Sequence, residues 1–290
     1  MRRHTQGGEE NRCGAEAGHH AAFGISVFVS RDKQRYDATV KGTFFQKPLE
    51  LNLRIEGETW NQGDPVSGSL VIKNHGSEEV SLDEVKIQLA HGELKKVRLK
   101  SEDAFEILSS VPLQSAGKLE PGKEKQFPWN FQTDRNCSIT DGSSSLFLLY
   151  GQGAPEKLGQ LQLPFLPHLL LQEFLKIFEI SFRFVPKTRK SAKDRIEVKL
   201  TPPSSRGFVT LEHLVLFLRF EGEMIEAQYV FHVKKVEASA SSVDIKKQKN
   251  IFERTYSPDL YFLPSGRLNH DRMEAAIREA LEQVESKIIL

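Results

Sequence analysis

Residues 117–123, GKLEPGK, have the spacing of a phosphate-binding loop, G-x-x-x-x-G-K. That loop needs Ser or Thr after the lysine to hold magnesium. Glu124 stands there instead and would set a carboxylate against the phosphates. Phe127-Pro128-Trp129 reads as strand where a helix is required, so Pro121-Gly122 is predicted to be a turn. Gly151-Gln152-Gly153 follows the apolar run Leu146 to Tyr150, as the start of a dinucleotide fingerprint would. Glu156 occupies the third glycine position and no helical pattern opens there. Cys13, His19 and His20 could ligate zinc, but they lack zinc-motif spacing and a fourth ligand. His213 and His232 fall in predicted strands, where a structural role is the expectation. No G-x-S-x-G, H-E-x-x-H, EF-hand or Cys-x-x-Cys sequence is present. The expectation is a non-enzyme with no catalytic residue, no metal and no cofactor.

Two features suit binding instead. Lys187, Arg189, Lys190, Lys193 and Arg195 form a basic loop, KTRKSAKDR, with Lys246, Lys247 and Lys249 farther on. Clustered cations of this kind capture phosphate or acidic peptide, so these five are the candidate site residues for an acidic or phosphorylated segment of a protein partner. The same loop offers a route to peripheral membrane contact. The second feature is strand edges, which accept an added strand. The formal net charge is only +1 over 290 residues, so no overall field points to nucleic acid. Charge is split, however: residues 44–165 hold 13 basic and 17 acidic side chains, and residues 166–262 hold 16 and 12.

The elements that would carry these groups are mostly strands. Leu49, Leu51, Leu53 and Ile55 alternate with polar residues, the Gly63-Asp64-Pro65 turn follows, and residues 66–72 alternate again. Further strands are predicted at Val85 to Leu89, Lys125 to Phe131, Leu146 to Tyr150 and Leu158 to Leu163, the spacing of a β-sandwich. Pro164 to Pro167 marks a boundary. Leu170, Phe174, Ile177 and Phe178 have helical spacing, after which Ile180, Phe182 and Phe184 alternate as a strand would. Strands around residues 196–200, 211–220, 227–236 and 243–254 come next. Asn269 then caps a terminal helix with Met273, Ile277, Leu281, Val284 and Ile288 on its apolar stripe. Residues 1–43 lack sustained periodicity and read as a disordered extension, with one short candidate strand at Phe23 to Val29. No apolar run reaches the roughly 18–20 residues of a spanning helix. With two cysteines and no apolar core behind the basic start, the expected location is the cytoplasm.

LELNLRIEG, GDPVSGSLVIKN and EVKIQLAHGEL, in that order, resemble the first strands of arrestin-like proteins. EPGKEKQFPWNFQTDRNCSITDGSSSLFLLYG resembles that family's long strand, polar crossing and aromatic-ended strand. HLLLQEFLKIFEISFRFV is similar to the helix-plus-strand linker of its bacterial sporulation-control branch. The resemblance implies an all-β fold of two tandem β-sandwich domains, residues 44–165 and 166–262, joined by a short linker helix and closed by a C-terminal helix, 263–290. It also implies a role in scaffolding, trafficking or regulation without catalysis. The Pro-Pro-x-Tyr motif of ubiquitin-ligase recruiting adaptors is missing; Pro202-Pro203-Ser204-Ser205 stands in its nearest place. A ligand-binding or hydrolytic sandwich with a pocket near Pro164 to Pro167 is the alternative expectation.

Overall fold

In LELNLRI the four apolar residues are buried and the polar residues between them are partly exposed. That period of two is what a strand gives when one face meets a core. The computed structural model describes residues 39–113, 117–204, 206–238 and 243–288. The expected strand at residues 23–29, and Cys13, His19 and His20, lie outside them. Four antiparallel strands form the first sheet, in the order β1 (Thr39–Gln46), β2 (Leu49–Ile55), β4 (Pro65–Asn74) and β9 (Glu124–Gln132). The first strand therefore starts at Thr39, inside the stretch expected to be disordered: Thr39 to Gln46 pair with Leu49 to Ile55.

The second sheet runs β11 (Gly159–Leu163), β10 (Ser144–Gly151), β6 (Lys86–Glu93) and β7 (Phe105–Pro112). Leu51, Leu53, Leu70, Ile72, Trp129 and Phe131 from the first sheet meet Ile87, Leu89, Leu146 and Leu148 from the second. The short helix α1 (Leu94–Leu99) covers the other face of the second sheet, where Leu94 and Val97 pack on Phe147, Leu149 and Ala90. β10 is thus buried on both faces along its whole length, which explains the unbroken apolar run Leu146 to Tyr150 within it. Two short pairs complete this half. β3 (Trp60–Asn61) runs parallel to β12 (Phe165–Leu166), and β5 (Val80–Ser81) pairs with β8 (Lys118–Leu119). Pro121-Gly122 is the expected turn, with Gly122 at φ 72°.

Gly68 in β4 sits opposite Ile55 of β2. A Cβ there would lie 2.1 Å from the Arg54 carbonyl oxygen and 2.7 Å from the Trp129 ring. The strand needs glycine for this close approach of backbone to backbone.

The second half is one antiparallel sheet in chain order: β13 (Val185–Ala192), β14 (Arg195–Thr201), β15 (Leu211–Glu221), β16 (Met224–Ala238) and β17 (Val243–Tyr256). Its inner face buries Val198, Leu200, Leu214, Leu216, Leu218, Tyr229 and Phe231. Among the described residues the layer against that face is helical, a departure from a sheet-on-sheet second domain within an otherwise all-β chain. α2 (Leu169–Ile180) contributes Leu170, Leu171, Phe174, Leu175, Ile177 and Phe178; α4 (His270–Ile288) contributes Met273, Ala276, Ile277, Ala280 and Leu281. The short α3 (Pro258–Tyr261) leads into α4. Asn269 caps α4 as expected, its side-chain oxygen accepting from the Arg272 amide at 3.3 Å.

Two expectations are corrected here. Residues 180–184 are not a strand: α2 continues through Ile180, and Phe182 and Phe184 pack on the core from the connection to β13. Nor is KTRKSAKDR a loop. Lys187, Arg189 and Lys190 belong to β13, Arg195 begins β14, and Lys193 makes the turn between them at φ 59°. A hairpin forms because Ser191 and Ala192 find partners in Ile196 and Arg195.

Candidate functional site

The segment after β9 holds the two halves together. Asn136 and Phe220 exchange hydrogen bonds, the Asn136 amide donating to the Phe220 carbonyl at 2.9 Å and accepting from the Phe220 N–H at 2.8 Å. The Arg135 guanidinium lies 4.1 Å over the Phe220 ring and pairs with Glu223 at 3.0 Å. Ser191, at the end of β13, accepts from the Ile139 N–H at 2.9 Å and donates its own N–H to Asp141 at 2.9 Å. Burial alone would raise the Asp141 carboxyl. Hydrogen bonds from the Ser143 hydroxyl and from the amides of Ser143, Ser191 and Ser144 outweigh it, so the carboxylate is held below its usual value.

His168 completes this joint. It precedes α2, accepts from the Leu170 N–H at 3.2 Å and meets Phe220 edge-to-face at 4.8 Å. Burial first, and the nearby Arg135 second, push the imidazole down to about 4. The Gln62 side chain links the joint to the first sandwich, donating to the Cys137 carbonyl and accepting from the His168 N–H.

Beside the joint opens a cleft of about 1070 Å³. Leu89 and His91 of β6 line it, with Glu106, Leu108 and Ser109 of the outer strand β7. Lys95 and Arg98 come from α1, and Ser191, Lys193 and Asp194 from the β13–β14 hairpin. This cleft lies between the halves, but not at Pro164 to Pro167, where the expectation put a pocket. There Phe165 stacks on Trp60 at 6.0 Å and fills the space. Cys137 also borders the cleft; burial raises its thiol to about 11 and keeps it protonated. Among the described residues no three His, Cys, Asp or Glu side chains are grouped to hold a metal.

The five basic residues expected to form one patch are dispersed by the hairpin. Arg189 pairs with Glu179 of α2 at 2.7 Å, Lys190 with Glu197 at 3.1 Å and Arg195 with Asp194 at 3.6 Å. Lys193 reaches the cleft, and Lys187 sits at an irregularity in β13. Sequence reading passed over the more exposed feature, β7. It pairs with β6 alone among the described strands. Ile107 and Leu108 are 37 % and 48 % exposed on it. Leu108 is the extra residue of a bulge, between Ile107 opposite Ala90 and Ser109 opposite Leu89. The signal was available in FEILSSVP, a strand-forming run with no lysine or arginine.

The arrangement defines an arrestin-like fold, as the sequence resemblance implied. Among solved structures, Spo0M, the sporulation control protein of Bacillus subtilis, is similar with a TM-score of 0.58 at 15 % identity. The match covers 81 % of this chain and 98 % of Spo0M. A β-glucosidase from Listeria innocua matches 42 % of this chain and 17 % of its own at a TM-score of 0.26 and 13 % identity, too little to bear on function. No family model matches the chain. No curated protein matches it either. No helix among the described residues is long and apolar enough to cross a membrane.

Proposed function

We propose that this chain is a non-enzymatic regulatory adaptor that captures an extended segment of a partner protein along β7. The observation that carries this reading is an outer strand with exposed Ile107 and Leu108 and no basic side chain along it. An edge strand offers a row of backbone N–H and C=O groups to an added strand. Alternate side chains of that added strand would point to opposite faces, one set entering the cleft beside Leu108. Lys95, Arg98 and Lys193 line the same cleft with Glu93, Glu106, Asp134 and Asp194, so the segment would meet charge of both signs there. The fold shared with a sporulation control protein supports a regulatory role. The protonated Cys137 thiol and the low basicity of His168 favour binding over hydrolysis at the joint.

The test is amide hydrogen exchange on the complex of the chain with protein captured from its own cells, run beside an Ile107→Lys/Leu108→Lys variant. Slowed exchange across residues 105–112 on binding, and loss of the complex in the variant, is the expected result. A complex equally tight with the variant removes β7 as the docking edge.

A further inference from the structure

We propose that the outer face of the second-half sheet, at its end remote from the first half, docks on an anionic membrane surface, and that protonation of the His213–His232 pair strengthens the docking. The near end is fixed by the joint, where Gly222, Glu223 and Ser191 bond to the first half. The remote end faces away from it.

The register places the groups. His213 of β15 lies opposite His232 of β16, which lies opposite Lys249 of β17. One step along, Lys234 faces Lys247; on the other side Lys199 of β14 faces Val215. Glu212 is the acidic side chain in this group and pairs with Lys247 at 3.4 Å. Lys199 and Lys249 form no ion pair among the described residues, and Lys234 acts with Lys247 on the single carboxylate of Glu212. At the near end of the same sheet, by contrast, Arg219 is held by Asp194 and Glu226, and Lys190 by Glu197. Positive charge is therefore left over at the remote end of this face.

Exposed aliphatic side chains stand among these lysines. Ile251, opposite Val230, is 57 % exposed. Val209 is 78 % exposed and sits beside Lys234, whose N–H donates to the Thr210 carbonyl at 2.8 Å. Lysines on three strands, β14, β16 and β17, with the histidine pair and aliphatic groups between them, match an anionic surface that also accepts apolar contact.

The two imidazoles stack with centroids 4.1 Å apart and planes 15° apart. Burial first, then the partner ring and Lys199, lower His213; burial first, then Lys249, lower His232. Glu212 opposes both shifts and Lys247 adds to both. Away from a membrane the pair is neutral at pH 7.5. Burial and the neighbouring cations keep protons off, and an anionic surface offsets the second of these, so binding and proton uptake favour each other. Each cation brought to such a surface contributes about a fivefold gain in partition.

Flotation with vesicles of phosphatidylcholine alone, or mixed with phosphatidylglycerol, at pH 7.5 and 5.5 tests this on the full chain. Binding to the anionic vesicles alone, rising about tenfold at pH 5.5, is expected. The variant His213→Gln/His232→Gln should keep the pH 7.5 binding and lose the rise. Lys199→Gln/Lys249→Gln should weaken binding at both pH values. No binding to anionic vesicles at pH 5.5 overturns the proposal, as does a rise that survives in the histidine variant. Soluble polyglutamate binding as tightly as vesicles would assign the face to an acidic protein and overturn it equally.

Discussion

In the first half a second sheet faces the first across the core, whereas in the second half α2 and α4 take that place. The consequence is a difference in what each half presents to a partner. A sandwich uses both inner faces for its core and leaves its edges, of which β7 is poorly guarded. A sheet covered by helices on one side leaves its whole other face. The outer strands of that sheet are guarded in a way β7 is not, because β13 carries Lys187, Arg189 and Lys190 and β17 carries Lys246, Lys247 and Lys249. Charged side chains on an outer strand discourage strand addition. An edge in one half and a face in the other are the surfaces this construction leaves available.

The largest effect should come from removing the helical layer. Ending the chain at Leu268 strips Met273, Ile277 and Leu281 from the inner face, each fully buried or nearly so. At about 1.5–3 kcal/mol for each large apolar side chain, the loss is about 5 kcal/mol or more, read as a fall in thermal midpoint. A midpoint within a few degrees of the full chain would mean that α4 is not the second layer of this half. In the sandwich the corresponding weak point is Gly68. Gly68→Val must push against the Arg54 carbonyl and the Trp129 ring, and should cost about 3 kcal/mol or more in denaturant unfolding.

The joint between the halves gives a pH-dependent test of intermediate size. His168 is held down to about 4, so the folded chain keeps it neutral while the unfolded chain takes a proton near 6.5. Its contribution is present in full above about pH 6.5 and is lost as pH falls from there toward 4. His168 is partly exposed, and after discounting for solvent the loss is about 1–2 kcal/mol. His168→Asn keeps a side chain able to cap α2 and removes the titration. Its stability should fall less steeply than that of the parent between pH 6.5 and 4; parallel curves would deny His168 this role.

Much of the framework was legible because it follows from local period. The alternation in LELNLRI and the stripe of Met273, Ile277 and Leu281 behind Asn269 each dictate one element whatever surrounds it. The misreadings have long-range causes. Phe182 and Phe184 alternate like a strand but are buried by α2 and the sheet, a contact that spacing does not reveal. Arg189 and Lys190 counted as free charge until folding set Glu179 and Glu197 beside them. The pairing of His213 with His232 depends on the register of two strands and on a shift between Leu211 and His213. α1 escaped notice because it is only six residues long and its packing face is just Leu94 and Val97, too short a pattern to mark a helix.

The smallest expected effect on stability is the sharpest test of edge against face. Ile107→Lys/Leu108→Lys gives β7 the kind of protection that β17 already has. Both side chains are well exposed, so the change should alter unfolding free energy by no more than about 0.5 kcal/mol. Partner capture should nevertheless be lost, while pH-dependent binding to anionic vesicles stays as in the parent. The reciprocal variant, Lys199→Gln/Lys249→Gln, should weaken vesicle binding and keep the protein partner. If either pair of substitutions abolished both activities with the fold intact, the two surfaces would be one. The difference between a sandwich that offers an edge and a helix-backed sheet that offers a face would then no longer explain how the molecule binds.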